Sequence, residues 1–185
     1  MFEESLVRYC SPTLAGLKTA SLFNFRFLSK ESLFLSVESW NKLLCSKGVI
    51  LKVMRIRRDQ ALIYVYRPGM LQRDWNSPKV RWCLSRHGYN GGDMEGSLEK
   101  LAEKVENLKD FPHEIGLFLG YPIGDVIGFI QNGGQNCKCC GCWKVYDDEL
   151  SAKKQFAKFK KCTRVYCDCF SQGTSIMRLT VTAGT

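Results

Sequence analysis

The spacing of apolar residues is helical over most of the chain. Apolar positions three and four residues apart mark one side of each predicted helix. Proline in a first turn and glycine after a last turn mark several of the helix boundaries. We therefore expect helices over residues 13–23, 30–46, 70–75, 79–86 and 97–108, two short helices beginning near Pro112 and Pro122, and a long helix from Asp147 or Asp148 to about residue 172.

Two neighbouring stretches depart from this helical spacing. Residues 49–57 and 61–67 are rich in β-branched and aromatic side chains, and a polar turn separates them, which predicts a β-hairpin. The chain is therefore expected to be a mostly helical α+β protein with a small antiparallel hairpin or sheet. Its 185 residues suit a single domain, with a main body over residues 1–134 and a sub-region over residues 135–185.

Composition is that of an ordinary globular protein, with 45% hydrophobic and 24% charged residues. The first residues, MFEESL, are acidic and lack the basic and apolar regions of a secretion signal. The most apolar stretch, residues 115–130, is interrupted by Pro122, Asp125 and several glycines. We therefore expect a cytoplasmic protein without a membrane-spanning segment.

Ten cysteines carry much of the candidate chemistry, and four of them lie in residues 137–142 (CKCCGC), here called the cysteine loop. Two interleaved CxxC pairs in this loop have the spacing at which two thiolates meet on one ion, and thiolates favour zinc or an iron–sulfur cluster. The short backbone disfavours a complete cage, so the long last helix is expected to supply further ligands. Thiol redox chemistry and a structural role are the alternatives. The metal-ligand candidates are Cys137, Cys139, Cys140, Cys142, Cys162 and Cys169.

Cys10 is a separate candidate because it precedes the first predicted helix. The partial positive charge at a helix N-terminus lowers the pKa of a thiol and favours the thiolate. A cysteine-dependent enzyme or thiol redox protein would use Cys10 as its nucleophile and His113 as the general base. The alternative is a buried, unreactive thiol.

The formal net charge of +9 permits an anionic partner. Basic residues concentrate on the polar side of the predicted long helix, at Lys153, Lys154, Lys158, Lys160 and Lys161. A basic module that binds nucleic acid or an acidic protein is therefore a further hypothesis. A solvated helix face shows the same pattern, so charge alone does not decide between the two.

Four sequence strings together resemble an uncharacterised bacterial family, a domain of unknown function numbered three-seven-nine-three, found mainly in anaerobes. The strings are residues 10–18 (CSPTLAGLK), 61–68 (ALIYVYRP), 111–122 (FPHEIGLFLGYP) and 141–146 (GCWKVY). Because they span nearly the whole chain, the resemblance implies a single-domain family. It implies no activity, but it marks motif residues as candidates for cofactor binding, namely Lys18, Glu114, Tyr121, Trp143 and Lys144.

The leading hypothesis is a thiolate protein that binds zinc or an iron–sulfur cluster through the cysteine loop. Its role would be metal handling, sensing or electron transfer. The cysteine-dependent enzyme and the basic binding module are the alternatives from other classes.

Overall fold

The structure is a computed structural model that describes residues 1–89, 93–107 and 111–182. The helices in these ranges are α1 (Phe2–Leu14), α2 (Lys30–Leu44), α3 (Pro68–Trp75), α4 (Pro78–Arg86), α5 (Met94–Asn107), α6 (Ile115–Phe118), α7 (Ile123–Gln131), α8 (Glu149–Ser171) and α9 (Ile176–Leu179). The strands are β1 (Ala20–Arg26), β2 (Ile50–Arg57), β3 (Gln60–Tyr66), β4 (Cys139–Cys140) and β5 (Lys144–Val145).

A three-stranded antiparallel sheet of order β1-β3-β2 lies between two hydrophobic cores. Side chains of the central strand alternate between them: Leu62 and Tyr64 belong to one core, and Ile63 and Val65 to the other. Helices α3 to α7 cover the first face, and α1, α2 and α9 cover the second. Burial on both faces explains why β3 is apolar along nearly its whole length.

The predicted fold class is confirmed: the chain forms a single, mainly helical α+β domain. The predicted hairpin is β2 and β3, and the predicted helices after residue 30 are found as α2 to α8. Helix α5 begins at Met94, before the predicted start at Ser97, and the predicted end at residue 108 lies outside the described residues. Within the described ranges, no helix has the length and apolar content needed to cross a membrane.

The prediction of a helix over residues 13–23 is wrong, because α1 ends and β1 begins within that range. The backbone of Gly16 has a φ of 69°, a left-handed conformation that terminates a helix. The N–H groups of Gly16 and Leu17 donate to the carbonyls of Thr13 (3.1 Å) and Pro12 (2.8 Å). Pro12 therefore lies in the last turn of α1 and not in a first turn, as its sequence context had predicted.

Arg67 joins the end of α1 to two distant parts of the chain. Its side chain is buried, with 2% of its surface exposed. The guanidinium donates to the carbonyls of Thr13 (2.6 Å) and Leu14 (2.6 Å), and also to those of Lys47 (3.2 Å) and Val181 (2.7 Å). The carbonyls at the end of a helix carry partial negative charge, so a cation is favourable there. Arg67 thus holds the loop after α1 in place.

Candidate functional site

The cysteine loop is part of a short hairpin. β4 and β5 pair Cys139 with Val145 and Cys140 with Lys144. Because successive side chains of a strand point to opposite faces, the adjacent thiols of Cys139 and Cys140 are directed apart.

Asp125 fixes this hairpin to the first turn of α7. The carboxylate is buried, and its Oδ2 accepts a hydrogen bond of 2.6 Å from Nε1 of Trp143. Its Oδ1 accepts from the backbone N–H groups of Tyr146 (2.7 Å) and Asp147 (2.9 Å). Charge-assisted hydrogen bonds are among the stronger ones in proteins, so Asp125 sets the position of Trp143.

Two glycines of α7 allow the hairpin to approach this closely. A Cβ atom at Gly124 would lie 2.5 Å from Oδ2 of Asp147, and one at Gly128 would overlap the side chain of Tyr146. Real Cβ atoms do not approach other atoms this closely, so larger residues would push the hairpin away. The four-residue glycine spacing in this region therefore serves contact with the hairpin.

An aromatic cluster forms where the hairpin meets α6, α7 and α8. The Trp143 ring stacks on Tyr121 with centroids 5.1 Å apart and meets the Phe156 ring edge-on at 4.5 Å. Nζ of Lys18 lies 5.2 Å from the centre of the Tyr121 ring. Three residues of the family strings, Lys18, Tyr121 and Trp143, are thus brought together from widely separated positions.

The Lys18 side chain has an unusual environment for a lysine. Burial lowers its pKa, and the thiols of Cys142 and Cys10 oppose this shift. Burial also raises the pKa of Cys142. The positive charge of Lys18 acts in the opposite direction and reduces this shift. Burial raises the pKa of Tyr121 to about 12, so its hydroxyl stays protonated at neutral pH.

A groove of about 950 Å³ runs between α1 and α8 to the cysteine loop, and we call it the basic groove. Its apolar lining includes Tyr9, Pro12, Phe156 and Phe159. Its cations are Lys18, Lys160, Lys161 and Arg164, and Cys142 lies at the end formed by the hairpin. No acidic residue lines the groove in the described part of the chain.

Two smaller pockets adjoin the aromatic cluster. One of about 310 Å³ shares Lys18 with the basic groove and also contacts Arg73 and Asp74. The other, of about 400 Å³, has a mostly apolar lining that includes His113 and Cys140. His113 therefore shares a pocket with Cys140, whereas the enzyme hypothesis pairs it with Cys10.

The expected N-terminal position of Cys10 is wrong. Cys10 lies inside α1, with none of its surface exposed, and does not precede a helix. Burial raises the pKa of its thiol, although the charge of Lys18 and a hydrogen bond with Ser21 oppose that shift. Cys10 therefore does not have the helix N-terminus that was expected to stabilise a thiolate. Its position is that of the alternative, a buried thiol.

The two α8 ligand candidates lie further along the helix than the residue that contacts the cysteine loop. Phe156 is the α8 residue against Gly141 of the loop, and Cys169 is about 20 Å further along the helix. Cys169 packs against the second core, and Cys162 is half-buried, with its pKa raised by burial. Within the described residues, no group of three or more His, Cys, Asp or Glu side chains is placed to hold a metal ion. A zinc ion or iron–sulfur cluster bound by these thiolates remains a prediction, because the described residues do not bring a complete set of ligands together.

Glu114 has a structural environment, although the resemblance marked it as a ligand-binding candidate. Its buried carboxylate accepts from Nζ of Lys104 (2.6 Å) and from the hydroxyl of Tyr89 (3.2 Å). Lys144 lines the apolar pocket, and its Nζ donates to the carbonyl of Gly134 at 2.7 Å. Both residues therefore already have partners in the fold.

The structural role of Asp125 and the groove-facing position of Arg164 were not predicted from the sequence. Asp125 appeared only as an interruption of an apolar stretch. A carboxylate in the first turn of a short apolar helix is a signal for local hydrogen bonding. For Arg164, its spacing from Lys160 and Lys161 on one helix was a usable signal, because residues three and four apart share a face.

Fold and site together define a single-domain α+β protein in which motif residues meet beside a basic groove. The chain matches the family described as "Protein of unknown function (DUF3793)" over residues 6–180. It therefore belongs to this family, which confirms the resemblance carried by its four strings. No curated protein and no solved structure matches the chain.

Proposed function

We propose that the protein binds a small anionic ligand with a planar or apolar portion in the basic groove. The observation that carries this proposal is the lining of the groove, which combines four cations with an apolar floor. Small-molecule sites are commonly apolar clefts with a few placed polar groups. An anion would meet the cationic rim, and a ring would lie on the aromatic floor.

The location of the charges on α8 supports binding in the groove: Lys154 and Lys158 also lack an ion pair with any described residue, but they do not line the groove. Near the start of the helix, Lys153 forms an ion pair of 2.6 Å with Glu149. Lys160, Lys161 and Arg164 form no ion pair with any described residue. Their charges are therefore available to a ligand, and the groove concentrates them in one place.

The size of the groove favours a small molecule over a polymer. Its volume of about 950 Å³ falls within the usual range for ligand sites, roughly 300–1,000 Å³. A nucleic acid strand would instead follow an extended basic surface with successive stacking platforms. Exposed Tyr9 is one aromatic surface here, and the other rings lie inside the groove.

Pyridoxine 5′-phosphate and uncharged pyridoxine form a matched pair of probes, which calorimetry can compare. We expect the phosphate to bind and pyridoxine to bind far more weakly. Replacing Lys161 and Arg164 together by glutamine should weaken binding of the phosphate about tenfold, equivalent to about 1.4 kcal/mol. The matched control replaces Lys154 and Lys158, which lie on α8 but outside the groove lining.

Equal weakening in the two double variants would contradict the proposal, because net charge and not the groove would then control binding. Tight binding of a single-stranded oligonucleotide with a steep dependence on salt would favour the nucleic acid alternative. Binding of pyridoxine as tight as that of its phosphate would remove the role of the cations.

We also propose a reducing, cytoplasmic setting. All ten cysteines lie in the described ranges, and each is free. Free thiols at exposed positions such as Cys140 and Cys142 suit a compartment that keeps thiols reduced. Counting free thiols in protein isolated under acid quench checks this, and disulfides formed inside the cell would contradict it.

A further inference from the structure

We propose that Lys18 forms an imine with a carbonyl group of the anionic ligand, an inference that rests on the proposed function. The ligand would then be an anionic aldehyde or ketone, with its phosphate or carboxylate on the cations of α8 and its carbonyl carbon at Nζ of Lys18. Lys18 would act as the nucleophile and would hold the ligand covalently.

The backbone holds Lys18 in a defined position. The N–H groups of Leu17 and Lys18 both donate to the carbonyl of Pro12, at 2.8 and 3.2 Å. On the other side, the hydroxyl of Thr19 donates to Asp74 at 2.5 Å. The backbone of Lys18 is therefore fixed, so the ligand has to order only the side chain.

Lys18 differs from other half-buried lysines in what its ammonium contacts. Nζ of Lys104 donates to Glu114 at 2.6 Å, and Nζ of Lys144 donates to a backbone carbonyl at 2.7 Å. Among the described residues, Nζ of Lys18 has no carboxylate or hydrogen-bond acceptor, and an aromatic ring lies 5.2 Å away. The amine is therefore held by no acceptor that a ligand would have to displace.

The protonation equilibrium of Lys18 also favours a role as nucleophile. Burial lowers the pKa of Lys18; the thiols of Cys142 and Cys10 oppose this shift without reversing it, and no carboxylate adds to their effect. The cation–π contact with Tyr121 favours the ammonium, but such a contact is worth only about 0.5–2 kcal/mol. A larger fraction of neutral amine near neutral pH is the condition that nucleophilic lysines require.

A ligand can reach Lys18 from the groove. Lys18 lines both the basic groove and the adjoining pocket of about 310 Å³. A ligand with its anion near Lys161 and Arg164 can therefore direct a carbonyl towards Lys18. The smaller pocket, whose lining includes three aspartates, gives room for an uncharged part of the molecule. Trp143 and Tyr121 form an aromatic wall beside it.

The chemistry balances without an oxidant or a reductant. Neutral Nζ donates its lone pair to the carbonyl carbon, and the C=O π electrons move to oxygen. A proton passes from nitrogen to that oxygen through solvent in the open groove, giving a carbinolamine. A second proton from solvent lets this hydroxyl leave as water, and the nitrogen lone pair forms the C=N bond. The protonated imine that results returns one proton to solvent to give the imine.

Pyridoxal 5′-phosphate is the test probe, because it carries an aldehyde, a ring and a phosphate. After incubation, borohydride reduces any imine to a stable amine, and peptide mass spectrometry locates it. We expect Lys18 to be modified at least tenfold faster than Lys158, an α8 lysine outside the groove lining. Lys18→Arg keeps the charge but cannot form the imine, so trapping at this position should disappear.

Binding of pyridoxine 5′-phosphate, which has no carbonyl group, separates this inference from the proposed function. If wild type binds it and yet pyridoxal 5′-phosphate modifies all lysines equally, the imine proposal is overturned and the groove proposal stands. If wild type binds pyridoxine 5′-phosphate and pyridoxal 5′-phosphate modifies Lys18 at least tenfold faster than Lys158, both are supported. If wild type does not bind it at all, the proposed function itself fails.

Discussion

Nε1 of Trp143 donates a 2.6 Å hydrogen bond to Oδ2 of Asp125, and this bond positions the aromatic wall of the candidate site. The same carboxylate accepts two backbone N–H groups of the hairpin through its other oxygen. A single buried side chain thus links the cysteine loop to α7 and sets the orientation of the ring beside Lys18.

Asp125→Asn should therefore destabilise the protein by about 2 kcal/mol. The amide oxygen can still accept from the backbone, but its NH₂ group faces the indole N–H, so two donors meet without an acceptor. Urea unfolding measures the loss. Trp143→Phe removes the N–H and leaves a smaller aromatic ring, so Asp125→Asn should cost about 1–2 kcal/mol less in that background. Additive effects would show that the indole hydrogen bond is not the important contact.

Arg67→Met should lower the free energy of unfolding by about 3 kcal/mol. The substitution leaves several carbonyls at the end of α1 and near the C-terminal segment without a donor. Arg73→Met is the matched control, because the Arg73 side chain is 71% exposed and its nearest carboxylate is 4.0 Å away. The control should change stability by less than about 0.5 kcal/mol. Similar losses in both variants would contradict the structural role of Arg67.

Cys10 should react with iodoacetamide only when the protein unfolds. Its thiol is inaccessible, and burial raises its pKa, so both access and thiolate formation are disfavoured. Exposed Cys45 serves as an internal reference within the same chain and should react quickly. Peptide mass spectrometry against time, with and without urea, measures both rates. Rapid labelling of Cys10 in native protein would contradict this prediction and would support Cys10 as a nucleophile.

Lys18 should make the stability of the protein depend on pH in the alkaline range. Burial lowers its pKa in the folded state below the unfolded value of about 10.4. Between the two values the unfolded chain binds more protons, so the free energy of unfolding rises with pH. Lys18→Met removes this term, and wild type should gain stability relative to the variant as the pH approaches about 10.4.

Urea unfolding at several pH values provides the measurement for Lys18, and Lys158→Met is the control. The control should follow wild type across the range because Lys158 is exposed on α8. Parallel curves for wild type and Lys18→Met would contradict the lowered pKa, and they would also weaken the case for Lys18 as a nucleophile.

Local sequence patterns were sufficient for most of the secondary structure. The hairpin of β2 and β3 follows from β-branched and aromatic residues around a polar turn, and α8 follows from its apolar line and the cap at Asp148. The Asp148 side chain accepts from the N–H of Ser151 at 3.0 Å, an interaction between residues three apart. Such contacts depend on neighbours along the chain, so the sequence contains what is needed to predict them.

At the beginning of the chain, the helix predicted from neighbouring residues was wrong. Pro12 suits a first helical turn, and that preference suggested a helix starting there. Gly16 ends α1 shortly afterwards, and the next residues pair with β3, a partner about forty residues away in sequence. Once that pairing is made, Cys10 is enclosed in the second core and loses the environment that would have activated it.

The cysteine loop is the most prominent motif of the sequence, but in the structure it forms one end of the basic groove. The sequence by itself determined the dense thiols, the helices after residue 30, the hairpin and the family. Tertiary structure decided that Lys18, Tyr121 and Trp143 meet, and that cations of α8 line the groove beside them. The physical reason is that helical and strand periodicity is read from adjacent residues, whereas a site depends on how elements distant in sequence pack against one another.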